Sequence, residues 1–400
     1  MTGRTDQLRI GVGLSSMGFL LTGLGACIAM LARDLNEPTG KLALLSSAFA
    51  VGLIVIAVVG PRLLQSWPLT TALRIGSLIC AVGAVLLALA PTYGVAVAGG
   101  LCIGLGGALL VLVAPLVLRG PTAAARLSRV NAVASAVGIL APIAIGAVDS
   151  FGPTGRLALL AAVPPLVALA VVKGKAGAEP LRGEPSPTKA AAVTIALGWL
   201  RVVLAVGVEF CFVVWAVARL VAAGLPMATA ALLGSAFPIG MAVGRAIGPI
   251  HWRGWSPVVP AGLLAIIGTL LVSLFDAPAA VTIGLVTAGV GVAPLYPVTL
   301  AALVATPGLN PTRLAAIGAL ASGTAILLTP AALAALARVA DLRTAYLITI
   351  PLITLLITLS RRHRPADRST RRHNLHTRRA PADRAHRPLD ELAPQAPQND

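Results

Sequence analysis

One carboxylate stands inside a long apolar run. It is Glu209, in LAVGVEFCFVVWAVARL (204–220). An ionised carboxylate is costly in such surroundings, so Glu209 must carry a proton or meet a cation. Either state suits proton coupling, because protonation neutralises the site. The structural alternative is a protonated Glu209 that ties two helices by a hydrogen bond. The candidate cation is Arg245, in LLGSAFPIGMAVGRAIGP (232–249). If the two runs form a helical hairpin turning near Gly224, Glu209 lies opposite about Ile239, and Arg245 sits roughly 9 Å further along the axis. Two long side chains nearly span that gap. The other reading has Arg245 extending its stem to a polar interface. Arg219, about 15 Å along the helix and about 80° around it from Glu209, cannot pair with it and is expected to extend to the opposite interface.

A second group of residues has the chemistry to line a solute cavity: Asn131 and Ser135, one helical turn apart, then Trp215, Tyr296, Ser322 and Thr324. Taken singly, each is also the kind of residue that holds helices together by packing or a hydrogen bond. Pro142, Pro294, Pro297 and Pro330 interrupt helical runs and are candidates for kinks and gating, together with Gly138 and Gly146 beside Pro142. Cys27, Cys80, Cys102 and Cys211 lie in apolar runs without metal-ligand spacing and read as small buried side chains. No metal and no cofactor is expected. Four of the five histidines fall in the C-terminal tail, and no HExxH, Walker or DxD pattern occurs, which leaves little basis for an enzyme.

These residues sit in a chain that is 57% hydrophobic and 11% charged, with mean hydropathy +0.90. Soluble domains carry about 25% charged residues, so too few are present to cover a core. The composition predicts an all-α polytopic membrane protein. A spanning helix needs about 20 mainly apolar residues. Twelve such spans are expected: 10–31, 41–61, 71–90, 94–118, 126–148, 156–172, 200–221, 227–249, 257–275, 278–304, 312–337 and 342–360. The runs do not alternate apolar and polar residues as barrel strands do.

Fifteen Arg and Lys fall in segments on the N-terminal side of the membrane and six on the other, before the tail adds ten arginines. That bias places both termini in the cytoplasm and the protein in the cell's inner membrane. Residues 173–190 form a polar linker. Residues 361–400, beginning RRHRPADRSTRRHNLHTRR, hold too little apolar surface to fold. The tail reads as a solvated topology anchor or as a clamp on anionic headgroups. Nucleic acid is not an expected partner, since the net charge of +17 follows from topology.

LLSSAFAVGLIVIAVVGP (44–61) returns as LLGSAFPIGMAVGRAIGP (232–249), with nine identities in eighteen at an offset of 188. Trp67 and Trp255 keep that offset, as do Pro142 and Pro330, and GLGGALLVLVAP near 104–115 resembles GVGVAPLYP near 289–297. Two parallel six-helix bundles follow, 1–172 and 191–360. This arrangement resembles the major facilitator superfamily over residues 1–360. The resemblance implies two bundles around a central cavity, rocking to expose one site to either side. Of that family's loop after the second span, GPRLLQSWPLTT (60–71) keeps Gly60 and Arg62 but not the acidic position. GILAPIAIG (138–146) keeps Gly138, Pro142 and Gly146 of an exporter signature, while the spans around Glu209 and Arg245 look like those of fucose-permease-like facilitators.

The function expected is secondary active transport of a small organic solute by alternating access, coupled to protons and leaning to efflux. An uptake permease of the same fold is the alternative; a membrane enzyme or a non-transporting receptor is less favoured. The sparse charge points to a neutral or amphipathic solute rather than a multivalent anion. Membrane lipids are the other partners, and a monomer is expected.

Overall fold

The computed structural model describes residues 2–38, 41, 44–118, 123–152, 154–171, 189–248, 256–306 and 311–361. Residues 1–361 form one compact unit and 362–400 a second, which lies outside the described residues. All regular structure among the described residues is helical. The helices are α1 (Thr2–Thr22), α2 (Leu24–Asp34), α3 (Leu44–Ser66), α4 (Leu69–Leu89), α5 (Tyr93–Val117), α6 (Ala123–Ser150) and α7 (Val163–Val171), the last preceded by a 3₁₀ stretch, Gly155–Ala162. The second half holds α8 (Lys189–Ala222), α9 (Met227–Leu233), α10 (Ala236–Ile247), α11 (Val258–Leu274), α12 (Pro278–Val292), α13 (Leu295–Val304) and α14 (Pro311–Val339). It closes with α15 (Leu342–Ala345), a 3₁₀ turn and α16 (Thr349–Arg361). The choice of helix is physical: in lipid only a helix or a closed barrel pairs every backbone N–H and C=O.

Among the described residues, eight helical segments are long and apolar enough to cross a membrane, and α1 with α2, bent by 45°, makes a ninth. Three shorter apolar stretches, Leu44–Gly60, Gly155–Val171 and Val258–Leu274, fall on the second, sixth and ninth expected spans. Three boundaries differ from expectation. The seventh span begins at Ala192 rather than 200, because AAAVTIALGW carries no charge and no proline, so the apolar helix runs on through it. Its helix also takes in Lys189 and Ala190 from the end of the linker, and Arg361 belongs to α16 rather than the tail. Glu209 therefore lies some 20 Å, thirteen residues, from the helix end at Ala222, at mid-depth.

The repeat is visible as duplicated packing. A Cβ on Gly104 would run into the Phe49 carbonyl oxygen, and one on Gly289 would run into that of Phe237. Phe49 and Phe237 are the paired residues of the two repeated segments. In the same way Gly106 lies against the backbone of Gly76 and Cys80, and Gly291 against that of Ala261 and Ala265. Such small residues let helices approach where lipid offers no hydrophobic drive to association.

Three spans are broken where their twins are continuous. At the α1–α2 bend, the Thr22 hydroxyl bonds back to the Gly18 carbonyl at 2.8 Å, a contact that bends helices, and Gly23 leaves room for Leu159 and Ala141. α9 and α10 part at Gly234–Ser235, where the Ser235 hydroxyl takes the Leu232 carbonyl at 2.7 Å. α12 and α13 part at Pro294, which has no N–H to continue the ladder.

The bundle has a base, carrying Thr2 and Arg361, and a rim, carrying Asp34, Ser150, Ala222 and Phe275. Each half is tied along both. At the rim of the first half, Arg33 grips both oxygens of Asp149 at 2.7 and 2.8 Å, and Arg156 bonds to Asp34 and to the Ala90 carbonyl that ends α4. At the rim of the second half, Arg219 bonds to the Val272 and Phe275 carbonyls that end α11, at 3.1 and 2.6 Å, and to Asp276, which Arg343 also holds. Arg219 meets these groups at the rim while itself buried, at 1% exposure, because three protein acceptors surround it. At the base, Arg74 bonds to the Ala170 carbonyl and Arg201 to that of Leu359. A cation at the C-terminus of each half's last helix meets the negative end of its dipole.

Candidate functional site

Mid-depth between the halves, α10 of the second half faces α6 of the first. The Arg245 guanidinium donates a hydrogen bond to the Ser135 hydroxyl. That hydroxyl in turn donates to the Asn131 carbonyl one turn back, at 2.9 Å, so its proton is spent on its own helix and its lone pairs face Arg245. A second guanidinium nitrogen lies 3.8 Å from the Glu209 carboxylate on α8. That separation is an ion pair too long for a hydrogen bond. Glu209 is 15% exposed and Arg245 is 33% exposed, so the cation keeps an open side while the acid is mostly enclosed.

Tyr296 on α13 closes the group. Its hydroxyl interacts with that of Ser322 on α14 and lies within electrostatic range of both Glu209 and Arg245. The break at Pro294 lies two residues before Tyr296 and starts the short helix that carries it. Ser322 also donates to the Gly318 carbonyl at 3.0 Å. One charged pair and the Ser135 hydroxyl, from three helices and both halves, therefore meet in one place, with Tyr296 and Ser322 on two neighbouring helices.

The other sequence candidates lie elsewhere or play structural parts. Asn131 is exposed on α6 and contributes its backbone carbonyl. Thr324 turns its hydroxyl to the Leu320 carbonyl of its own helix. Trp215 is buried near the rim, where its indole N–H donates to the Pro330 carbonyl at 3.3 Å. It lines a cavity of about 410 Å³ with Pro38, Lys41, Ala334, Arg338 and Leu342, on the rim side of Glu209. Pro142 sits inside α6 and Pro330 inside α14. Proline at 142 leaves the Gly138 carbonyl without its helical donor, and the Thr22 hydroxyl, its one proton shared with the Gly18 carbonyl, approaches it at 2.6 Å. Gly146 takes the backbone of α9 at Ala228 and Leu232. Pro297 is exposed near the start of α13.

Nothing in the sequence marked Thr22, whose partner is a carbonyl freed by a proline 120 residues away, nor Gly25, whose Cβ would strike the Val213 carbonyl of α8. Gly25 and Gly146 bring the two halves together on the rim side of the Arg245 bridge. All four cysteines are unpaired, and no cluster of metal-ligating side chains occurs among the described residues.

No protein-family model and no curated protein matches the sequence. Solved structures do. A bacterial homologue of the human lysosomal transporter Spinster, inward-facing and unoccupied, aligns with TM-score 0.67 at 12% identity over 90% of this chain and 96% of that one. The E. coli fucose:proton symporter aligns with TM-score 0.59 at 17% identity, over 90% and 100%. A nucleoside transporter aligns with TM-score 0.69 at 14% identity, over 88% and 98%. At these identities the likeness is one of fold. The chain has the fold of these three transporters.

Proposed function

We propose that this protein is a secondary active transporter that moves a small organic solute by alternating access, with Glu209 carrying the coupled proton. The observation that bears most on this is the Ser135–Arg245–Glu209 bridge, since one arginine joins a hydroxyl of the first half to the carboxylate of the second. When Glu209 is ionised it competes with solvent and solute for Arg245. When it is protonated that hold weakens, and Arg245 is released toward the other half. Proton binding then changes which arrangement of the halves is favoured, as a proton-coupled transporter requires. The fold of the fucose:proton symporter supports the reading by analogy.

The rim contacts of Gly25 and Gly146 support a state closed at the rim. With both termini cytoplasmic in the inner membrane, as the Arg and Lys bias has it, that state is closed to the outside. The exporter-like pattern at Gly138, Pro142 and Gly146 favours efflux, with uptake by the same device as the alternative. The test is flux of a solute panel in proteoliposomes driven by a pH gradient. Glu209→Gln should lose gradient-driven accumulation while retaining exchange of solute for solute. Undiminished concentrative transport in that variant would refute the coupling role.

A further inference from the structure

Resting on the reading as a transporter, we infer that the solute is an amphipathic organic monoanion, a carboxylate or sulfonate on an apolar body, seated on Arg245 and accompanied by one proton on Glu209. The hydrogen-bonding inventory argues against a polyhydroxylated solute. Asn131 is the only side-chain amide within the expected spans, and it contributes a backbone carbonyl rather than its amide to the site. A buried sugar hydroxyl without a partner costs about 1–3 kcal/mol, and Ser135, Tyr296 and Ser322 cannot serve a ring of them. The solutes named for the fucose and nucleoside neighbours therefore do not suit this group of side chains.

Charge argues for an anion. Glu209 is the single carboxylate within the expected spans apart from those at their ends, and Arg245 already faces it, so a cationic solute has no free partner. Arg245, in contrast, is under-used. It makes a hydrogen bond to Ser135 and a loose 3.8 Å contact to Glu209, while a guanidinium offers five N–H donors in a fork that fits a carboxylate or sulfonate. It is also one-third exposed, so a solute can reach it.

The charge balance fixes the stoichiometry. With Glu209 ionised the pair is neutral. An arriving anion displaces the carboxylate from Arg245, which leaves one excess negative charge in a low-dielectric site. Taking one proton from solvent onto Glu209 restores neutrality; anion and proton then cross together, which selects uptake by symport, the alternative direction above, over efflux. The titratable groups facing Glu209 from the helices packed on α8 are Arg245 and Tyr296. On its own helix, Arg201 is engaged with Leu359 at the base and Arg219 with Val272 and Phe275 at the rim.

The test is calorimetric titration of the purified full chain in detergent with benzenesulfonate and octanesulfonate, which stay ionised, from about pH 5.5 to about pH 8.5. Benzenesulfonamide serves as the uncharged match, and L-fucose and uridine as polyhydroxylated controls. Titration in buffers of different ionisation enthalpy counts the protons taken up. The sulfonates should bind more tightly as pH falls, with about one proton taken up per anion. Benzenesulfonamide, fucose and uridine should bind at least about 30-fold more weakly. Glu209→Gln should bind the sulfonates without proton uptake. Arg245→Gln should lose binding, and Arg245→Lys should recover part of it. Equal binding of benzenesulfonamide, or sulfonate binding by Arg245→Gln, overturns the inference. If neutral solutes are concentrated in proteoliposomes while neither sulfonate binds or competes, the inference falls and the transport reading stands. If the sulfonates bind as described but nothing crosses the membrane, the transport reading falls.

Discussion

Replacing Gly146 by alanine should open the rim. The added Cβ would lie 2.7 Å from the Leu232 Cγ, 2.8 Å from the Ala228 carbonyl oxygen and 2.9 Å from the Leu232 backbone nitrogen. Two of these three atoms are backbone and cannot swing aside. Ordinary contact would require α6 and α9 to separate by about half an ångström. Overpacking of this kind costs about 1–3 kcal/mol. Because the strained contact joins the two halves, the cost falls on the rim-closed state and is absent once the rim opens. The equilibrium should shift toward the rim-open state by about 5- to 140-fold. Spin labels on Phe151→Cys and Val339→Cys, 85% and 89% exposed at the rim of the first and second halves, report the separation. A Cys102→Ser background removes the half-buried thiol, the other three being buried. The population at long distance should grow in Gly146→Ala and stay unchanged in Gly94→Ala, where an added Cβ meets nothing within 4 Å. An unchanged distance distribution in Gly146→Ala, with the protein folded, would refute the claim that α6 on α9 holds the rim shut.

Two stability predictions concern residues away from the site. Thr22→Val removes the donor that satisfies the Gly138 carbonyl freed by Pro142, and should cost about 0.6–1.7 kcal/mol, seen as a lower Tm in detergent; Thr22→Ser should restore it. Arg219→Met strips a buried guanidinium from the Val272 and Phe275 carbonyls and should cost about 3 kcal/mol or more. Arg338→Met, on an exposed side chain, should stay within about 0.5 kcal/mol, so equal Tm shifts in the two would contradict a buried role for Arg219.

Much of this architecture is legible from the chain. Apolar length located the spans, since lipid leaves the backbone few options, and the repeat at offset 188 paired Phe49 with Phe237, each of which the structure packs against a glycine. The hairpin estimate set Glu209 and Arg245 on neighbouring helices, roughly 9 Å apart in height, and their charged atoms stand 3.8 Å apart. Reach along the arginine stem and the break at Gly234–Ser235 account for the difference. Features set by backbone carbonyls were not legible, because a carbonyl has no letter. The burial of Arg219 depends on where α11 ends, and Thr22 matters only because Pro142 vacates a carbonyl. The partnership of Ser135 with Arg245 likewise needs the two halves docked.

The two repeated segments differ at one charged position, Arg245 against Ala57, and the acid lies in the same half as the arginine. After duplication, then, the copies divided the labour unequally. The second took on the ionic chemistry, while the first kept a hydroxyl and a kinked wall. A first half free of charge at the contact can diversify in shape without disturbing the proton chemistry. Chimaeras that graft a foreign first half, retaining Ser135, onto residues 189–361 offer a route to new solute preferences on an inherited coupling device.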